Sequence, residues 1–230
     1  MLKKRKLNNH KAPHPENFVF PEKNKKRIIS DNDLWAISYY RSSELAGSLL
    51  MGRMARQAHD GELRTRLTWH FAEEARHAWR WTEVIRRLGA DPLPITETYQ
   101  SNYFSEVGVP QNDLELLAIT QVFERRVAYH FTLHRKRENT PLLIKEMLGN
   151  MCCDEGPHIR WIREKLDEMA KNGKGEEVAR KLKKFEAIDK KVYIEEAKKF
   201  IAHGWEITDE IAKEIGHHEQ CEAGCVYHHP

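Results

Sequence analysis

Two short segments of this chain share one chemical pattern, Glu74-Ala-Arg-His77 and Glu155-Gly-Pro-His158. A carboxylate and an imidazole three residues apart on a helix lie on one face, neighbours across a turn, and both are metal-ligand types. The pair alone says little, since a third copy, Glu214-x-x-His217, stands near the C-terminus with nothing to answer it. The first two gain force from a glutamate upstream of each. Glu44 stands 30 residues before Glu74, and Glu124 stands 31 before Glu155. Glu44 is 16 residues before the turn residue Asp60, and Glu74 is 13 after Gly61. Glu124 is 15 before Asn139, and Glu155 is 14 after Pro141. Rise per helical residue is fixed, so folding each hairpin at its turn brings its two glutamates to nearly one height.

The flanking residues turn these carboxylates inward. Glu44 shares its helix face with Ile37, Tyr40, Gly47, Ser48 and Met51; Glu124 with Leu117, Thr120, Gln121, Val127, Ala128 and Phe131; Glu155 with Leu148, Met151, Cys152, Ile159 and Ile162. A carboxylate on such a face is costly to bury unless it is paired or bound to a metal, and four at one level repel one another. Two divalent cations would neutralise the four charges of Glu44, Glu74, Glu124 and Glu155, with His77 and His158 as neutral nitrogen ligands. The competing reading pairs the glutamates with Arg41, Arg125 or Arg126 and makes each histidine a hydrogen-bonded core residue.

The elements that must position these groups are helical. A 230-residue chain with only 12 glycines and 9 prolines is poor in turns. Asp31 or Asp33 can cap a first helix that runs to Asp60-Gly61, a turn dipeptide. A second ends at Gly89 and carries Leu67, Phe71, Ala78, Trp81, Ile85 and Leu88 at helical spacing. Residues 90–111, with Pro92, Pro94, Gly108 and Pro110, read as a crossover connection. A third helix starts near Asn112 or Asp113, and Thr140-Pro141 opens a fourth that ends at Asn172-Gly173. Val178, Leu182, Phe185, Ile188 and Val192, then Ile194, Ala197 and Ile201, predict a fifth, with a shorter sixth from about Thr208. The expected fold is all-α: a four-helix bundle over 31–171, built of two antiparallel helix hairpins with a long crossover. A basic arm (1–30) precedes it, and C-terminal helices and a tail (172–230) follow.

Composition narrows the setting. A net charge of +3 does not by itself indicate a nucleic-acid partner, although the basic arm could grip RNA or a partner subunit. No apolar run reaches the roughly 18 residues of a membrane span, and no apolar core follows the basic start as in a secretory signal. Adjacent Cys152 and Cys153, with Cys221 and Cys225, suggest no disulfide framework, so a reducing cytoplasm is expected. His217, His218, Cys221, Cys225, His228 and His229 could bind zinc or another iron, or form a plain polar end. Gly156-Pro157 inside the second pair removes a helical hydrogen bond, and either shifts Glu155 relative to His158 or opens a local bulge.

The order Glu, Glu-x-x-His, Glu, Glu-x-x-His over residues 31–171 resembles the ferritin-like di-iron carboxylate proteins. That resemblance implies two iron ions, with Mn/Fe or manganese as alternatives and zinc a poorer fit. Glu44, Glu74 and His77 would serve one half, and Glu124, Glu155 and His158 the other. Glu74 and Glu155 would bridge, and Glu73 and Asp154 would orient histidines. It further implies O₂ as co-substrate and an external electron donor. Oxidation of a small-molecule or lipid-like organic substrate leads; a ferroxidase or a rubrerythrin-like peroxide-removing protein is the alternative. Val127 one turn after Glu124, and the lack of paired CxxC motifs, weigh against the peroxidase. A homodimer is a further expectation.

Overall fold

A computed structural model describes residues 27–205, and all regular structure among them is helical. Ser30, not Asp31 or Asp33, caps the first helix by accepting from the Asp33 amide; α1 then spans Asp31–Gln57. Asp60 caps α2 (Gly61–Arg87) through the Leu63 amide. Gly89 lies beyond its end with φ 77, a left-handed conformation that glycine adopts without strain. The crossover is not all loop: Thr98 and Ser101 form a reciprocal cap on a short α3 (Tyr99–Val107). Asn112 caps α4 (Asp113–Lys136), and Pro141 sits at the cap of α5 (Leu142–Met169). Asn172 and Gly173 leave helical dihedrals, and α6 (Gly175–Ala202) follows that break.

α1 packs along α2 and α4 along α5, so each short turn closes a hairpin; α2 meets α5 across the middle, and α6 lies on α4 and α3. Ile37, Met51, Leu67, Trp81, Ile85, Phe123, Phe131, Leu148 and Ile162 are buried between the hairpins. The expected α2 stripe is displaced at one position. Phe71 is exposed, and His70 turns inward instead.

The C-terminal cover is held by polar contacts as well as by its apolar stripe. Val178, Phe185 and Val192 are buried, but Ile194 and Ile201 face outward. In their stead Asp189 and Glu196 go in. Asp189 accepts from Arg126 Nε at 2.9 Å and from the Tyr99 hydroxyl at 2.6 Å. Glu196 accepts from the Tyr39 hydroxyl at 2.6 Å and from Asn102 at 2.7 Å. A buried ion pair of this kind repays desolvation only when further hydrogen bonds support it; the Tyr99 hydroxyl supports Asp189, while Arg126 Nη1 is left without a hydrogen bond. The expected helix from Thr208, the His/Cys tail and most of the basic arm lie outside the described residues. No helix among those described is long and apolar enough to cross a membrane.

Candidate metal centre

Four helices each turn ligand-type side chains to one interior level: Glu44 from α1, His70, Glu74 and His77 from α2, Glu124 from α4, Glu155 and His158 from α5. None of the seven is more than 2% exposed. They form two overlapping groups that share Glu74, and in each group one candidate ligand atom per residue lies within 4.8 Å of the others. One group is Glu44, Glu74, His77 and Glu155; the other is His70, Glu74, Glu124 and His158.

All six residues expected from their spacing are thus brought together. His77 Nδ1 stands 3.4 Å from Glu155 Oε1, 3.7 Å from Glu44 Oε2 and 3.8 Å from Glu74 Oε1. His158 Nδ1 stands 3.0 Å from Glu155 Oε2 and 3.4 Å from Glu74 Oε1. The rings of His77 and His158 are 5.9 Å apart. Pro157 leaves α5 continuous, and Glu155 and His158 stay on one inward face.

The seventh residue, His70, was not anticipated. Its Nε2 is 2.8 Å from Glu124 Oε1 and 3.3 Å from Glu74 Oε1, and its ring lies 3.9 Å from that of His158. The signal was present, because His70, Glu74 and His77 recur at the spacing of one helix face. Phe71 masked it. A stripe chosen by hydrophobicity takes the phenylalanine over the neighbouring imidazole.

Hydrogen bonding within the protein does not satisfy this cluster. Both oxygens of Glu44, both nitrogens of His70 and of His77, one oxygen each of Glu74, Glu124 and Glu155, and Nε2 of His158 are buried and make no hydrogen bond. Each such group costs about 1–3 kcal/mol if left so. Three of these ten, His70 Nδ1, His77 Nε2 and His158 Nε2, lie on the far side of their rings from the nitrogen that faces the cluster. The other seven fit a set of donors whose missing partner is shared, and mixed carboxylate and imidazole donors suit a divalent first-row metal. The arginines that could have paired the glutamates are engaged elsewhere. Arg41 donates to Thr82, Arg125 faces Glu186, and Arg126 pairs with Asp189.

The electrostatics of the metal-free cluster show how it holds its charge. Burial, then the charge of Glu74, pushes the Glu44 carboxyl well above the usual range. Burial, then Glu74 and Glu155, does the same to Glu124. Burial also pushes Glu74 up, but contact with His70 and the charges of His77 and His158 prevail and hold it at about 2. Burial lowers His77, and its contacts with Asp154 and Glu44 outweigh that and raise it.

The ring of His77 is steadied from outside. Its Nε2 faces Asp154 Oδ2 at 3.4 Å, and Asp154 is itself held by Arg80 at 2.5 Å. Glu73 takes no matching position: it pairs with Arg76 on its own helix. Against protein-family models, curated proteins and solved structures, the chain shows no match.

Proposed function

We propose that this chain is a ferritin-like di-iron carboxylate oxidoreductase that activates O₂ to oxidise an organic substrate. The observation that carries the reading is the convergence of seven buried carboxylate and imidazole groups from four helices, most with orphaned donor atoms. Glu44, Glu74, His77, Glu124, Glu155 and His158 would hold the metals, joined by His70. The chemistry an iron pair supplies when bound is two-electron reduction of O₂ or peroxide, restored by an external donor.

The chain's own residues supply the setting. Glu74, shared by both groups and held ionised, is the carboxylate best placed to span two cations. Glu155 presents one oxygen to His77 and the other to His158, and so can span as well. Asp154 Oδ2 faces His77 Nε2 at 3.4 Å, and its charge favours a proton on that nitrogen, which leaves Nδ1 to offer its lone pair inward. Burial of every group excludes bulk water and strengthens each electrostatic contact.

A second reading draws on one observation. Among α1, α3, α4 and α6 lies an apolar cavity of about 30 Å³ walled by Tyr40, His130 and Phe131; Ser43 and Val127, helix neighbours of Glu44 and Glu124, line it, although none of the seven cluster residues does. That is room for one small molecule, which favours O₂ or peroxide as the sole guest, as in a ferroxidase or peroxide-removing protein. Anaerobic loading with Fe(II) followed by O₂ separates the two. An oxygenase takes up about two irons per chain, oxidises them once and stops until donor and substrate are added. Continued oxidation of Fe(II) far beyond two per chain, or rapid peroxide turnover without organic substrate, establishes the second reading. Failure to bind iron at all refutes both.

A further inference from the structure

The two halves of the cluster are not alike. The group around His77 contains one imidazole and three carboxylates; the group around His158 contains two imidazoles, because His70 joins it, and two carboxylates. Resting on the metal-centre reading, we infer that the two positions are chemically unequal. His70 makes one nitrogen-rich, and the other stays carboxylate-rich, so that they sort different divalent ions.

His70 does not behave as a core histidine. Two others in this fold do: His130 Nδ1 bonds the Tyr193 hydroxyl at 3.0 Å, and His134 Nδ1 bonds that of Tyr40 at 2.9 Å. His70 is fully buried, and neither of its nitrogens makes a hydrogen bond, although Nε2 lies closer to a carboxylate than either of those pairs. Its Nε2 points at the gap between Glu74 and Glu124, where His158 Nδ1 also reaches Glu74. His70 Nδ1 has no partner, and Nε2 faces two carboxylates without meeting hydrogen-bond geometry. Such a buried imidazole is costly, and a cation shared with Glu74 and Glu124 would remove that cost at Nε2. No matching imidazole reaches the other group, whose charge comes from Glu44, Glu74 and Glu155.

Ligand chemistry then decides which ion goes where. Imidazole nitrogen favours cobalt, nickel, zinc and ferrous iron over manganese by more than carboxylate oxygen does, whereas manganese and magnesium are at home among oxygens. Both positions bind Co(II) more tightly than Mn(II), but the ratio is larger where His70 stands. When Co(II) is limited to one per chain and Mn(II) is in excess, Co(II) gathers at the His70–His158 position and Mn(II) fills the His77–Glu44 position. The protein becomes a two-metal centre that can assemble with different ions in its halves.

The test uses the full chain stripped of metal, with Co(II) and Mn(II) as probes. Calorimetric titration of the wild type with Co(II) is expected to show two steps, the tighter weakened by roughly 10–100-fold or more in His70→Gln. Mn(II) binding changes by less than about threefold in the same variant, since manganese gains little from nitrogen. A wild-type crystal grown with one equivalent of Co(II) per chain and an excess of Mn(II) gives an independent answer, whether or not the variant folds. Anomalous scattering at the cobalt edge should place cobalt between His70 and His158. Cobalt spread evenly over both positions, or gathered at His77, overturns the inference while leaving a two-metal centre standing. An identical pair of Co(II) sites unaffected by His70→Gln does the same. No metal at either position refutes the inference together with the reading beneath it.

Discussion

Replacing Gly47 by alanine should separate the stability of the bundle from its capacity for metal, because the two respond with opposite sign. Gly47 lies buried on α1 against the carboxylate that both ligand groups share. A Cβ there would stand 3.0 Å from Glu74 Oε2 and 3.9 Å from its Cδ. That contact is tighter than ordinary packing, so the Glu74 carboxylate must give way by a few tenths of an ångström. In the metal-free protein this is cheap, since Glu74 is a flexible side chain. Alanine gains up to about 1 kcal/mol of helix propensity over glycine, worth roughly 2–4 °C in a chain of this size. With metal bound the freedom is gone, because ligand distances hold to within about 0.2 Å. Displacing the shared carboxylate should weaken metal binding about 10–100-fold, or roughly 1.4–2.8 kcal/mol. Thermal unfolding of Gly47→Ala with and without Co(II), beside a chelator-competition titration, reads both halves. The expected result is an unchanged or higher midpoint without metal and a smaller metal-induced rise. A variant that binds Co(II) as tightly as the wild type would show that Glu74 is not a shared ligand.

Three further perturbations probe other parts of the structure. Metal binding should release protons near neutral pH, up to three per chain, because Glu44, Glu124 and His77 all hold protons more firmly than usual in the metal-free protein. Titrations in buffers of different ionisation enthalpy count them, and a buffer-independent heat would rule this out. His134 is held neutral, its pKa lowered to about 2 by burial and then by His130 and Arg137. The unfolded chain protonates this residue below about 6.5 and the native one does not, so its contribution is complete above that pH and declines as pH falls toward 2. From pH 7 to pH 5 the metal-free wild type should lose up to about 2 kcal/mol relative to His134→Gln; parallel pH profiles in urea would contradict it. Asp189→Asn leaves Arg126 as an uncompensated buried charge, at a cost of about 3–5 kcal/mol. A change below 1 kcal/mol in denaturant unfolding would mean that α6 is not anchored there.

What could be read from the chain alone follows from which interactions are local. Each Glu-x-x-His pair is a one-turn relation, and each hairpin height depends only on residue counts to a turn, so the level of Glu44, Glu74, Glu124 and Glu155 was legible. Cap position was legible to within one to three residues: Ser30 does the work expected of Asp31 or Asp33. His70 escaped because burial on α2 is decided by what it faces across the bundle, and polarity favoured Phe71. α3 escaped because Pro92, Pro94 and Gly108 flank a segment whose own cap, Thr98 with Ser101, is short and easily missed. The inward turn of Asp189 and Glu196 could not be foreseen, since their partners Arg126 and Tyr39 lie far away in sequence and only tertiary packing makes them neighbours.

The most direct measurement is a count of metal in the purified full chain, paired with a crystal structure phased at an iron absorption edge. Two iron atoms per chain are expected, as two anomalous peaks flanking Glu74, one beside His77 and one beside His158. A protein that stays folded and metal-free in the presence of Fe(II), or peaks found only away from these seven side chains, would contradict the proposed centre and leave the buried glutamates to be explained by shared protons alone.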